Sequence, residues 1–150
     1  MRKILFYFVF FITNMSVHAA PLQFRNTFIP ESPPAAAVMA AYFEIINSDN
    51  KEKIIDAVSS EQFDSVEIHR TILKDDVAHM EKQSQLLIPA KGSVQLKQGG
   101  LHLMLIKPKH RIYAGDSVTL KIHERDGTEH ALAITVQKAN AITHQHHHHE

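Results

Sequence analysis

Residues 117–137 read SVTLKIHERDGTEHALAITVQ. Two apolar runs flank Asp126-Gly127. Val118, Leu120 and Ile122 recur at every second position in the first run, and Leu132, Ile134 and Val136 do so in the second. A period of two places each set on one face of a pleated strand and the intervening polar residues on the other. Asp-Gly between two such runs is a two-residue hairpin signal, because glycine accepts the positive φ that tight hairpin turns require. The stretch therefore predicts strands over 117–123 and 130–137, and an all-β fold with them.

The same pattern extends outward. Short runs rich in β-branched and aromatic residues predict strands at 38–47, 53–59, 64–71, 77–81, 85–88, 93–97 and 101–107. Gly92, Gly99, Gly100, Gly115 and Gly127 all fall between these runs. Strands this short, with turn signals between them, suggest a β-sandwich or a small barrel. AAAVMAAYFEII at 35–46 has helical propensity, but Tyr42, Phe43, Ile45 and Ile46 followed by Asn47-Ser48-Asp49-Asn50 favour a strand and a turn. Between Pro21 and Pro34, the prolines at 30, 33 and 34 predict an irregular segment.

The chain begins Met1-Arg2-Lys3, continues with the apolar run ILFYFVFFI at 4–12, and reaches Val17-His18-Ala19-Ala20-Pro21. A basic start, a short apolar core and a small-x-Ala end make up a secretory signal peptide. Nine apolar residues are too few to cross a hydrocarbon core that needs about 20. The expected organisation is a signal peptide at 1–19, a β-domain at 20–140 and a His-rich tail at 141–150. The expected location is the periplasm, with no membrane span once the signal is removed.

The 150 residues carry 16 Lys+Arg, 16 Asp+Glu and 12 His, with no Cys and no Trp. A net charge of zero speaks against a nucleic-acid binder. The lack of cysteine excludes disulfides, thiol redox chemistry and cysteine-based zinc sites. Histidine is the residue in excess.

Two histidines and two methionines line up. On 101–107, Leu101, Leu103 and Leu105 share one face, while His102, Met104 and Ile106 share the other. On 64–71, Val66 and Ile68 take one side, and Glu67, His69 and Thr71 the other. If the next turn is centred near Lys74-Asp75, His69 lies opposite Met80, with Cβ atoms about 5 Å apart. Two His–Met pairs would then share one side of a sheet. Thioethers are soft, uncharged ligands, and together with imidazole they favour Cu(I) over harder divalent ions. Only the imidazoles must lose a proton to bind, so affinity should fall below about pH 6. Taken singly, each Met also reads as core filler and each His as a surface residue.

The spacing is His69, ten residues, Met80, twenty-one residues, His102, one residue, Met104. This resembles the periplasmic copper chaperones of the PCuAC family, whose signature is His-x10-Met-x21-His-x-Met. The flanks VEIHRTILKDDVAHM, IPAKGSVQLKQGGLHLMLI and YAGDSVTLKIHERDGTEHALAITV look like the family's ligand and closing strands. The resemblance covers about 37–137. It implies a cupredoxin-like Greek-key β-sandwich that binds one Cu(I), with His69 and His102 as imidazole ligands and Met80 and Met104 as thioether ligands. It also implies a metallochaperone rather than an enzyme, working as a monomer. Delivery would be to the CuA centre in subunit II of cytochrome c oxidase, alongside Sco-type copper proteins. A copper-buffering protein with the same site and no dedicated acceptor is the alternative. Arg70 stands where many family members have Met, which removes any auxiliary contact from that position. His79 has the opposite parity to Met80 and is not counted as a ligand.

The chain ends THQHHHHE, with His144, His146, His147, His148 and His149. Gln145 within the run and Glu150 after it distinguish the tail from an uninterrupted six-histidine tag. Clustered imidazoles bind Cu(II) without a defined geometry, so the tail is expected to capture Cu(II) for reduction and transfer to the core site.

Overall fold

The computed structural model describes residues 21–139. The expected signal peptide and the tail histidines lie outside these residues. The described part consists of ten strands: β1 (Gln23–Pro30), β2 (Val38–Ile46), β3 (Lys53–Ser59), β4 (Phe63–Lys74), β5 (Val77–Gln83), β6 (Leu86–Ile88), β7 (Ser93–Leu96), β8 (Leu101–Pro108), β9 (Ser117–Glu124) and β10 (Glu129–Gln137). They hydrogen-bond in the order β5-β4-β8-β2-β1-β10-β9-β3-β6, with β7 also on β2.

The period-two pattern appears directly as burial. Met39, Ala41, Phe43 and Ile45 on β2 are all buried, which settles 38–46 as strand, and Val118, Leu120 and Ile122 on β9 are buried too. One core cluster takes Phe43, Leu103 and Leu105 from β2 and β8, and Ile55, Leu120, Ile122 and Ile134 from β3, β9 and β10. The hydrogen-bonded ladder therefore folds over on itself, with its two halves packed face to face as a β-sandwich. Each of these large side chains contributes roughly 1.5–3 kcal/mol on leaving water.

The joint between the halves is β1, which the proline reading did not anticipate. It pairs antiparallel with β2 and then parallel with β10, Ile29 opposite Val136 and Pro30 opposite Gln137. Pro30 closes the strand rather than preventing it, because a proline lacks only its own N–H and leaves the preceding residues free to pair. The ladder runs one residue further through Glu31 N–H, which donates to the Gln137 carbonyl at 2.7 Å. A bulge between Arg25 and Phe28, with Asn26 at φ 52°, turns the strand from one half toward the other. Phe24 meets Phe43 edge to face at 5.9 Å and fixes β1 on the core.

The Asp126-Gly127 turn is present but has one more residue than a two-residue hairpin. Glu124 N–H donates to Thr128 O at 2.8 Å, and Gly127 N–H donates back to Glu124 O at 3.0 Å, leaving a three-residue loop. Only Gly127, at φ 92°, is left-handed there. This is a type I turn followed by a glycine bulge, the next most common hairpin connection.

Candidate metal centre

Three adjacent strands, β5, β4 and β8, carry the residues singled out by the sequence. β4 and β8 are antiparallel, with His69 directly opposite His102 and Glu67 directly opposite Met104. Directly opposed residues project on the same side, so all four share one face. The imidazole centroids of His69 and His102 are 6.1 Å apart and the rings are inclined by 33°. A metal about 2 Å from a ring nitrogen lies about 3 Å from that ring's centroid, so two rings sharing one ion can be about 6 Å apart.

The β4–β5 hairpin differs from expectation by one step. Its turn is centred on Asp75-Asp76, both left-handed at φ 51° and 60°, and not on Lys74-Asp75. This is the geometry of a type I′ turn built without glycine, a role that aspartate tolerates. In consequence Met80 lies opposite Thr71, and His69 lies opposite Lys82. Moving the turn by one residue changes each partner by two, so Met80 stays on the His69 face and becomes its diagonal neighbour, about 7–8 Å away by Cα. Met80 is 63% exposed on the edge strand.

His102 is buried, although alternation sets it on the face opposite Leu101, Leu103 and Leu105. β8 is an inner strand with β4 on one side and β2 on the other, so neighbours cover what alternation alone leaves open. Its Nδ1 donates to the Gly100 carbonyl at 3.0 Å, and that oxygen also accepts from Thr71 N–H at 3.1 Å. A carbonyl only accepts, so the contact needs a proton on Nδ1, and a neutral His102 ring then has its lone pair on Nε2. His69 is held the other way round. Its Nε2 is 2.8 Å from Glu67 Oε2, while its Nδ1 is buried with no hydrogen-bond partner among the described residues. Lys82 Nζ lies 2.6 Å from the other Glu67 oxygen. The Lys82 ammonium first, and His69 second, hold the Glu67 carboxyl below its ordinary range.

Glu67 and Lys82 are the members of this cluster that sequence reading missed as participants. Alternation placed Glu67 on the His69 face; what it did not give was the register that sets Lys82 beside it. Arg70 pairs with Leu101 and Glu81 on the opposite parity, so the side chain at that position is directed away from the His69 face. His79, opposite Ile72, is likewise on the other face from Met80. Cavities of about 400 and 560 Å³ are lined by other residues, at Pro33–Ala37 with Lys107–Ile112 and at Gln83–Leu87 with Ser93–Gln95. The His–Met cluster is an arrangement on a sheet face. Among the described residues no three His, Cys, Asp or Glu side chains form a metal-binding group.

The sandwich is the cupredoxin-like fold of PCuAC domains. It superposes on the copper-bound PCuAC domain from PmoF2 with a TM-score of 0.67 and 15% identity, covering 81% of this chain and 96% of that one. The solution structure of CuI-DR1885 from Deinococcus radiodurans matches with a TM-score of 0.66 and 25% identity, over 83% of this chain and 84% of that one. The chain belongs to the family described as putative lipoprotein LpqE-like, whose model matches residues 22–136. An uncharacterized protein of Rickettsia prowazekii, RP573, is 33% identical over 102 residues, which is 67% of this chain and 56% of that protein. The chain thus matches little more than half the length of that relative.

Proposed function

We propose that this protein is an exported copper chaperone that carries one Cu(I) on the β4–β5–β8 face, bound by His69, Met80, His102 and Met104. The observation that carries the reading is the opposed imidazole pair, whose free nitrogens are left over once Glu67 and Gly100 have taken the others. Two methionines on the same face add soft donors, and four such ligands suit Cu(I). The copper-bound and Cu(I)-bound states named for two proteins of the same fold support the choice of metal. Met80 lies on the exposed edge and His102 in the interior, so an acceptor's ligands can displace the thioether first and the buried imidazole last. The acceptor we propose is the CuA centre of cytochrome c oxidase, with Sco-type proteins as companions.

The proposed location is the periplasm, reached through the signal peptide at 1–19. The family is described as putative lipoproteins, which agrees with export. We propose further that the tail His144, His146, His147, His148 and His149 collects Cu(II); deleting 144–149 should lower Cu(II) uptake and leave Cu(I) binding unchanged.

The test is a Cu(I) competition titration against a chromogenic chelator, run on the chain from residue 20 and on its His102→Ala, Met104→Ala variant. One tightly held Cu(I), lost in the variant, is the expected result. A parent that holds no Cu(I) overturns the reading.

A further inference from the structure

The two imidazoles on the site face are held by different nitrogens, and one carboxylate accounts for the difference. We propose that Glu67 is a positioning residue that makes His69 present Nδ1 to the metal, while His102 presents Nε2. The inference rests on the copper reading above and deepens it.

An ionised carboxylate accepts hydrogen bonds and cannot donate them, so the 2.8 Å contact between Glu67 Oε2 and His69 Nε2 requires the ring proton to be on Nε2. A neutral imidazole protonated there has its lone pair on Nδ1. That atom is the buried side-chain nitrogen left without a partner among the described residues. Buried polar atoms are ordinarily paired, and an exception calls for an explanation such as an ion that belongs there. The other Glu67 oxygen is engaged by Lys82 Nζ at 2.6 Å, so both oxygens are committed and the carboxylate is held as an orienting group. Lys82 is able to do this because it lies directly opposite His69 on β5, the strand that also carries Met80. His102 needs no carboxylate: its Nδ1–H is taken by the Gly100 carbonyl of the β7–β8 turn. Ligating histidines commonly donate their second nitrogen to such a group, which fixes the tautomer and makes the ligand more basic.

The test reads the imidazole directly. Two-bond proton–nitrogen correlation spectra of the copper-free, 15N-labelled protein should show His69 protonated at Nε2 and His102 at Nδ1. In Glu67→Val the His69 tautomer should become mixed, and Cu(I) affinity should fall about 10- to 100-fold. Glu67→Gln retains an oxygen that accepts from Nε2–H, and it should keep the parent tautomer and most of the affinity. That rescue separates an orienting role from a merely structural one. If the parent binds Cu(I) but His69 carries its proton on Nδ1, the inference is overturned. It is overturned equally if Glu67→Val leaves both tautomer and affinity at parent values. A parent that binds no Cu(I), whatever its tautomers, overturns the copper reading itself.

Discussion

Met80→Leu separates binding from folding. Met80 is 63% exposed on the edge strand β5, so it contributes little packing, and leucine matches it closely in volume. A surface change of this kind alters stability by about 0.5 kcal/mol or less. For a domain of this size that is a shift of roughly 3 °C or less in Tm. The leucine has no sulfur, and in the proposed site it removes one of two thioethers. The expected loss of Cu(I) affinity is tenfold or more, equivalent to about 1.4 kcal/mol or more. Leu73, 77% exposed and on the same face, provides the control: Leu73→Ala removes apolar surface beside Met80 without removing a donor. Thermal melts and chelator competition on the parent, Met80→Leu and Leu73→Ala would decide it. The reasoning fails if Met80→Leu binds Cu(I) like the parent, or if it melts many degrees lower, which would make Met80 a packing residue.

Three further outcomes are expected. Leu105→Ala, at a fully buried position beside Met104, should cost about 2–5 kcal/mol in denaturant unfolding, and a loss below 1 kcal/mol would mean that this part of the core is loosely packed. Lys53 and Glu124 form a buried pair at 3.1 Å, and His130 also reaches Glu124 at 2.6 Å. Lys53→Met should destabilise by roughly 3 kcal/mol, while Lys53→Met with Glu124→Leu should recover most of it, since replacing a buried pair costs less than breaking one; equal losses in both would refute this. Because Glu67 has its carboxyl held below the usual range, its ion pair supports the fold above the ordinary glutamate value of 4.5 and is lost as pH falls through the depressed value. The stability gap between parent and Glu67→Val should therefore be constant near neutrality and shrink in acid, and a gap that widened in acid would contradict the pairing.

Most of this fold is legible because β-sandwich strands advertise themselves by alternation. Val118, Leu120 and Ile122, and the face shared by His102 and Met104, need only parity to be placed. Where parity is insufficient, the reading stops. β1 was hidden because its pairing with β10 is parallel and joins residues about a hundred positions apart, Ile29 with Val136, while the nearby prolines signal irregular chain. The β4–β5 turn sits one residue later than expected, and each cross-strand partner two residues later, because Asp75-Asp76 makes a type I′ turn without the glycine that usually marks it. That shift left the His–Met face unchanged but concealed Lys82, and with it the Lys82–Glu67 contact. The burial of His102 follows from the position of β8 between β4 and β2, which local sequence does not encode.

The central claim is a mixed imidazole and thioether site for one Cu(I), and X-ray absorption at the copper edge tests it most directly. The protein loaded with one equivalent of Cu(I) should show both nitrogen scatterers near 2.0 Å and sulfur scatterers near 2.3 Å, by analogy with the usual metal–ligand distances, roughly. The sulfur contribution should fall in Met80→Leu and vanish in Met80→Leu with Met104→Leu. A first shell of nitrogen and oxygen alone in the parent would contradict the account.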